Sequence, residues 1–317
     1  MVSTPTVEER LERFAPGARV VRAWQLVGGI SGRMTAIAYE LAGQLCHVVV
    51  REQAWGTLTE RRANLQRELS TLRAVCELRL PAPAAYGVDG DDEEREPALF
   101  REYIDADPEL SPADVTGAMR EMARALRQIH DIDGNQPALG FLPRRHQLTA
   151  EQLAQPPGEL DASLGEGRIR AALPAFSSWP HQNALALAHG DFWPGNLLWR
   201  DGRIARVVDW EEAAVADPLF DLSIARLDIA FAFGFDAMKV FTSAYQSLAE
   251  LDYRALPHWD LNAALRPMHH LPRWAESYPA PPINRPDITH ATLKQAHAAF
   301  VEQALAALAA QSAGAAP

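Results

Sequence analysis

The sequence predicts an α+β protein, with antiparallel strands and one helix in its first third and a longer, mainly helical remainder. Three observations lead there. Short β-branched runs separated by Gly, Pro or acidic turns recur up to about residue 104. Beyond that point apolar residues recur at helical spacing in several long segments. Between them, Asp201-Gly202 lies between two apolar runs, NLLWR and RIARVVD. Asp-Gly in that setting is a strong hairpin signal, because a type I′ turn needs positive φ at both central residues.

In chain order, residues 5–15 (PTVEERLERFA) read as a short amphipathic helix ended by Pro16-Gly17. Val20–Val27, Thr35–Leu41 and Cys46–Val50 read as three strands. Gly28, Gly29, Ile30, Ser31 and Gly32 separate the first two, and a glycine-rich turn there lets backbone N–H groups approach phosphates. Thr57–Leu78 is predicted helical, with Leu65, Leu69, Leu72 and Cys76 on one face. Glu68 falls on that apolar stripe, and a carboxylate there needs a partner. Ala84–Val88 and Ala98–Tyr103 read as two further strands joined by the acidic tip DGDDEERE.

Ser111–Asp131 reads as a strong helix burying Met119, Met122, Ala123, Leu126 and Ile129. His130 at its end reads as a capping or packed residue. Residues 132–184 carry the weakest pattern, with short helices near 148–153 and 167–176. Helices are expected around 222–233, 236–250, 259–276 and 289–312.

A chain of 317 residues can build two lobes. Its 48% hydrophobic and 22% charged content is that of an ordinary globular protein. A net charge of −11 argues against nucleic acid and anionic membranes as partners. No apolar run is long enough to span a bilayer, and the N-terminus shows no signal-peptide pattern, so a cytoplasmic location is expected. Cys46 and Cys76, the only cysteines, are expected to be buried reduced thiols.

The chemistry concentrates between Leu187 and Leu222, in AHGDFWPGNLLWRDGRIARVVDWEEAAVADPLFDL. Asp191 is followed at five positions by Asn196, and Asp209 closes the hairpin. Asp-x-x-x-x-Asn with a second Asp is what phosphoryl transfer requires. One carboxylate meets the attacking hydroxyl, and an amide oxygen and a second carboxylate hold magnesium. The hairpin is expected to return Asp209 to the side of Asn196 and the loop carrying Asp191. A zinc trio of His181, His189 and Asp191 lacks a compact ligand motif. The pair His269-His270 reads as ordinary loop histidines.

HGDFWPGN followed by VVDWEEAAVADPLFDL resembles the aminoglycoside phosphotransferase family, the small-molecule branch of the protein-kinase-like fold that includes choline kinases. The resemblance covers most of the chain and is closest at 187–222 and over the Gly28–Glu68 elements. It implies a two-lobed fold, with a nucleotide-binding lobe at 1–104 and a catalytic and acceptor-binding lobe at 105–317. It also implies ATP- or GTP-dependent, Mg2+-dependent phosphorylation of a small-molecule hydroxyl. Asp191 is then the catalytic carboxylate, and Asn196 and Asp209 the metal ligands. Gly28, Gly29, Ser31 and Gly32 cover the nucleotide, and Arg51 with Glu68 positions its phosphates. The carbonyl of Glu102 and the N–H of Ile104 meet the adenine edge. Asp221 matches the family aspartate that braces the catalytic loop.

Arg51 departs from the family's usual lysine. Lys239 and Lys294 are the only lysines in the chain, so none in the first third can substitute. A nucleotide-binding pseudoenzyme is therefore one alternative. A protein kinase is another, disfavoured by the compact segment after Asp209. The acceptor is not named by the sequence. Glu211, Glu212, Asp260 and Glu276 suggest a cationic one, while Trp193, Trp274 and Tyr278 suggest an apolar pocket. Oligomeric state is not legible in the sequence.

Overall fold

Thr6 opens the first helix with a reciprocal cap: its hydroxyl accepts from Glu9 N, and the Glu9 carboxylate accepts from Thr6 N. A computed structural model describes residues 5–26, 32–89, 95–180 and 183–314. They form two units: Met1–Ala106 with Arg206–Glu211, and Asp107–Ala205 with Glu212–Pro317.

The first unit begins with α1 (Val7–Phe14), β1 (Arg19–Leu26), β2 (Gly32–Leu41) and β3 (Gln44–Gln53). After α2 (Leu58–Glu77) come β4 (Ala85–Asp89) and β5 (Ala98–Glu102). The strands form one antiparallel sheet in the order β1-β2-β3-β5-β4. Ile37, Tyr39, Val48, Val50 and Phe100 make its core, which α1 closes with Leu11. Phe14 stacks on Phe100 with ring centres 4.5 Å apart. Helix α2 opens with a second reciprocal cap, Thr57 with Glu60, and buries Leu65, Glu68, Leu69 and Leu72. The expectation of buried thiols is corrected, since Cys46 and Cys76 are both half-buried. The Cys76 thiol sits at the end of α2 and reaches the carbonyl oxygens of Ala82 and Pro83.

Membership of the first unit is not contiguous in sequence. Val207 N donates to Pro81 O at 2.6 Å, and the Arg206 guanidinium donates to Glu102 Oε1 at 3.0 Å. Trp210 Nε1 turns back onto Val207 O. These bonds fasten 206–211 to the strands that precede them by a hundred residues.

The second unit contains β6 (Asp107–Pro108), α3 (Val115–His130), α4 (Arg145–Ala154), α5 (Glu166–Ala172), β7 (Ala186–Ala188), β8 (Leu197–Arg200) and β9 (Arg203–Val207). Strand β9 leads out of this unit into the segment at 206–211. Then follow β10 (Ala214–Ala216), α6 (Leu219–Phe233), α7 (Phe235–Leu248), α8 (Leu256–Ala263), α9 (Leu271–Ser277) and α10 (His290–Gly314). The turn between β8 and β9 has positive φ at both Asp201 (51°) and Gly202 (72°), the conformation a type I′ turn demands.

Helix α6 is buried at almost every position, so it forms the core against which α7, α8 and α10 pack. Helix α3 lies on α7 with Met119, Met122, Leu126 and Ile129 buried. The single helix expected at 259–276 is two, α8 and α9, divided by tight turns. Pro267 lacks an N–H and disfavours helical backbone at Arg266 before it, and His269 has φ +60°. Among the described residues no helix is long and apolar enough to cross a membrane.

Leu126 is fully buried in the α3–α7 packing. Leu126→Ala is expected to lower stability by about 2–5 kcal/mol. The check is a urea melt, which should show a lower midpoint with an unchanged m-value.

Candidate active site

In the second unit the site is built on a short ribbon. Strands β7 and β10 pair antiparallel through Ala188–Ala214, Leu187–Val215 and Ala186–Ala216, and every one of these residues is buried. The chain leaves β7 as His189-Gly190-Asp191. Gly190 has φ +87°, and a Cβ there would stand 2.0 Å from the Glu212 carbonyl oxygen, so only glycine fits. Asp221, in the first turn of α6, grips this corner from beneath. Its Oδ2 accepts from His189 N at 2.6 Å and its Oδ1 from Gly190 N at 2.8 Å. His130 Nε2 lies 3.3 Å from Asp221 Oδ2, and its Nδ1 lies 2.5 Å from the Tyr245 hydroxyl. Burial by itself would raise the Asp221 pKa, but bonding from His130 and the Gly190 N–H holds it below the usual carboxylate range.

Asp191 is about a quarter exposed and has both carboxylate oxygens engaged. Asn196 closes a helical turn at Pro194–Asn196 and donates its amide to Asp191 O at 2.9 Å and Asp191 Oδ2 at 3.1 Å. The amide carbonyl of Asn196 therefore faces away from Asp191. Arg266 pairs with Asp191 Oδ1 through Nη2, and its Nη1 lies 3.2 Å from Asp228 Oδ2. Asp228 is on α6, two turns after Asp221. Burial pushes its carboxyl up to about 7, against the opposing pull of Arg266.

In the first unit Arg51 on β3 is buried and surrounded by carboxylates. Its Nη1 lies 2.6 Å from Glu68 and 3.6 Å from Asp209, and its Nη2 lies 2.6 Å from Glu211. Burial lowers its pKa, but these three charges outweigh burial and hold the guanidinium above its ordinary range. Asp209 adopts φ +67°, an uncommon conformation for a residue with a Cβ, and stays about a third exposed. Glu102 spends its side chain on Arg206 and on Ala84 N, and half-buried Ile104 follows just after β5. Gly32 opens β2 where a Cβ would meet Glu52 O at 2.3 Å, a close approach only glycine allows. Gly28, Gly29 and Ser31, with His181, lie outside the described residues.

The sequence-based expectations thus fall into two groups. Arg51, Glu68 and Asp209 meet in one unit, and Asp191, Asn196 and Asp221 in the other. Glu211, expected near an acceptor, is a partner of Arg51. Asp260 lies in a buried two-point pair with Arg226, at 3.0 and 2.9 Å. Arg266 and Asp228 were not foreseen. Asp228 had a signal: it stands in the nearly all-apolar segment LFDLSIARLDIAFAF, seven residues after Asp221 and so on the same side of the helix. Arg266 had none, because its role depends on the break between α8 and α9.

Each unit carries an oxygen donor of the kind a hard cation takes: an amide oxygen at Asn196 in the second and an accessible carboxylate at Asp209 in the first. No cluster of three or more His, Cys, Asp or Glu able to hold a metal exists among the described residues. Magnesium bound by one or two side chains and substrate phosphates does not need one.

Comparison with known proteins shows what this chain is similar to. A sequence model of the phosphotransferase enzyme family (APH) matches residues 49–259. Viomycin phosphotransferase of Streptomyces vinaceus is 28% identical over 237 residues, covering 69% of this chain and 77% of that protein. Acyl-CoA dehydrogenase family member 10 of Mus musculus is 25% identical over 211 residues, covering 61% of this chain. The match spans only 19% of that mouse protein's length. A crystal structure of aminoglycoside phosphotransferase APH(4)-Ia, in a ternary complex with AMP-PNP and hygromycin B, superposes with a TM-score of 0.62. It is 17% identical and covers 96% of this chain and 99% of that one.

Asp221→Asn replaces one acceptor oxygen by a donor facing a backbone N–H, at an expected cost of about 1–3 kcal/mol. A depressed folded-state pKa means that this group's stabilisation is complete above the unfolded carboxylate value of about 3.9 and is lost as pH falls through the lower folded value. Urea midpoints measured from neutral to acidic pH should therefore show the largest gap between wild type and variant at neutral pH and a shrinking gap in acid.

Proposed function

The chain belongs to the phosphotransferase enzyme family, and from that premise we propose that it transfers the γ-phosphoryl group of ATP to a small-molecule hydroxyl. The observation that carries the reading is Asp191, presented by a buried, glycine-cornered turn and held on one oxygen by Asn196. That arrangement suits a carboxylate that must meet an acceptor hydroxyl in one orientation. The bond from acceptor oxygen to γ-phosphorus forms as the bond to the β–γ bridging oxygen breaks. The hydroxyl proton passes to Asp191, and ADP leaves.

Asn196 and Asp209 are the proposed holders of Mg2+, which supplies charge neutralisation on the phosphates when bound. Arg51 is the proposed phosphate-facing cation of the first unit. Its pairing with Glu68 supports this over the pseudoenzyme reading, since the pair fixes the guanidinium and keeps it charged. Gly28, Gly29, Ser31 and Gly32 are proposed to cover the nucleotide, and the Glu102 carbonyl and Ile104 N–H to meet its base. The AMP-PNP in the APH(4)-Ia complex supports an adenine nucleotide as donor. GTP remains the competing donor for a nucleotide panel to separate. The relatives' acceptors, viomycin and hygromycin B by name, support a small hydroxylated molecule as the class of substrate. Two carboxylates that would favour a cationic acceptor are committed elsewhere, Glu211 to Arg51 and Asp260 to Arg226.

Asp191→Asn is expected to lower turnover by about 10²–10⁴-fold with little change in nucleotide affinity. ADP release gives the first quantity and nucleotide titration the second; wild-type turnover in the variant removes Asp191 from the chemistry. Chelation of divalent cations should abolish turnover, and Mg2+ should restore it. Arg51→Lys should raise the nucleotide KM and lower turnover together, because an ammonium cannot serve Glu68 and Glu211 from two nitrogens.

A further inference from the structure

We propose that Arg266 and Arg145 form an anion-binding subsite beside Asp191, so that the acceptor is a hydroxyl compound carrying a carboxylate or phosphate group. The inference rests on Asp191 being the carboxylate that meets the acceptor. It begins from how Asp191 is already engaged. Its Oδ2 takes the Asn196 amide and its Oδ1 takes Arg266, which fills half of the carboxylate's lone-pair positions. The amide bond can persist, since it orients the carboxylate. The guanidinium is the group able to yield.

Arg266 is placed to yield without leaving. Its Nη1 stays on Asp228, which is buried on the core helix α6. Its guanidinium lies 5.9 Å from the Trp274 ring centre, and the side chain is about a quarter exposed. An anionic group on the incoming molecule can take over the Nη2 face. Asp191 Oδ1 then turns to the hydroxyl. A planar fork suits carboxylate and phosphate alike. An ammonium on the acceptor would meet the same guanidinium with the wrong sign.

Arg145 is the second, independent observation. It opens α4 with its guanidinium 4.5 Å over the Phe220 ring, next to Asp221 in sequence. The residue before it, Arg144, bridges to Val215 on β10, the strand paired with β7 that leads into Asp191. Among the described residues Arg145 has no ion pair, and its buried Nε has no hydrogen-bond partner. A half-buried cation without a carboxylate of its own, on the segment bridged to the ribbon that presents Asp191, is a site that an anion would satisfy. Asp228 ties down Arg266, and nothing equivalent ties down Arg145.

The test compares matched acceptors. ω-Hydroxy carboxylates of three to six carbons and glycerol phosphate are set against the corresponding hydroxy amides and amino alcohols. ADP release is measured for each, and calorimetric binding is measured with Asp191→Asn protein. Acids should exceed their amides in kcat/KM by tenfold or more, and amino alcohols should be poorest. Whether carboxylate or phosphate leads identifies the source of the anion. Arg266→Gln and Arg145→Gln should each raise KM for the acids about tenfold and bring the acid-to-amide ratio toward one, with Arg266→Lys recovering part of the preference. A purely structural role would lower kcat for every acceptor alike and leave the ratio intact. Equal or better turnover of amides or amino alcohols overturns the subsite while keeping phosphotransfer. Absence of ADP release with every acceptor overturns the catalytic reading, and anion binding lost in Arg145→Gln still reports on the subsite separately. Anion binding unchanged in both arginine variants overturns the proposal outright.

Discussion

The bond pair from Asp221 to the backbone N–H groups of His189 and Gly190 is the constraint on which the second unit's site depends. A buried carboxylate accepting two main-chain donors fixes the direction in which the chain leaves β7, and the next residue is Asp191. The interaction is strong because it is charge-assisted and shielded from water, and for the same reason its partial loss is costly. His130 and Tyr245 continue the chain of contacts from the carboxylate to α3 and α7. The helix-packing core and the candidate catalytic turn are thus one connected structure.

Helix α6 does this work because three charged side chains interrupt an otherwise apolar surface. Asp221 takes the loop, Asp228 takes Arg266, and Arg226 is neutralised by Asp260 and bonded to Thr242. Each would be expensive to bury alone, and each has found a partner. The cluster around Arg51 follows the same rule in the first unit, where one guanidinium serves Glu68 and Glu211 from separate nitrogens. A lysine is a point donor and could not divide itself this way, which gives the arginine at this position a physical reason.

Elements with long, regular patterns were legible in the sequence. The N-terminal strands, α2 with its inward Glu68, α3, and the Asp-Gly turn lie within a few residues of where periodicity and turn chemistry put them. The two- and three-residue strands β6, β7 and β10 were not legible, because so short a run has no period to detect. The break between α8 and α9 was missed although Pro267 marked it. Apolar residues on both sides kept a helical rhythm that the turn interrupts. The thiols are half-buried where their apolar neighbours in sequence suggest burial, because neighbours in sequence do not set exposure.

By itself the sequence specified the motif proposed to carry the chemistry: Asp191, Asn196 and Asp209 at fixed spacing, and a glycine at 190 where no Cβ fits. Spacing and turn type are local properties, and a local stretch of chain is enough to specify them. The tertiary structure decided who meets whom over long range. It brought Glu211 to Arg51 across 160 positions and Arg266 to Asp191 across 75. It also moved 206–211 into the first unit. A charged side chain, unlike an apolar stripe, has no periodic signature that names its partner. Their partners are chosen by which segments pack together, and only the assembled core fixes that.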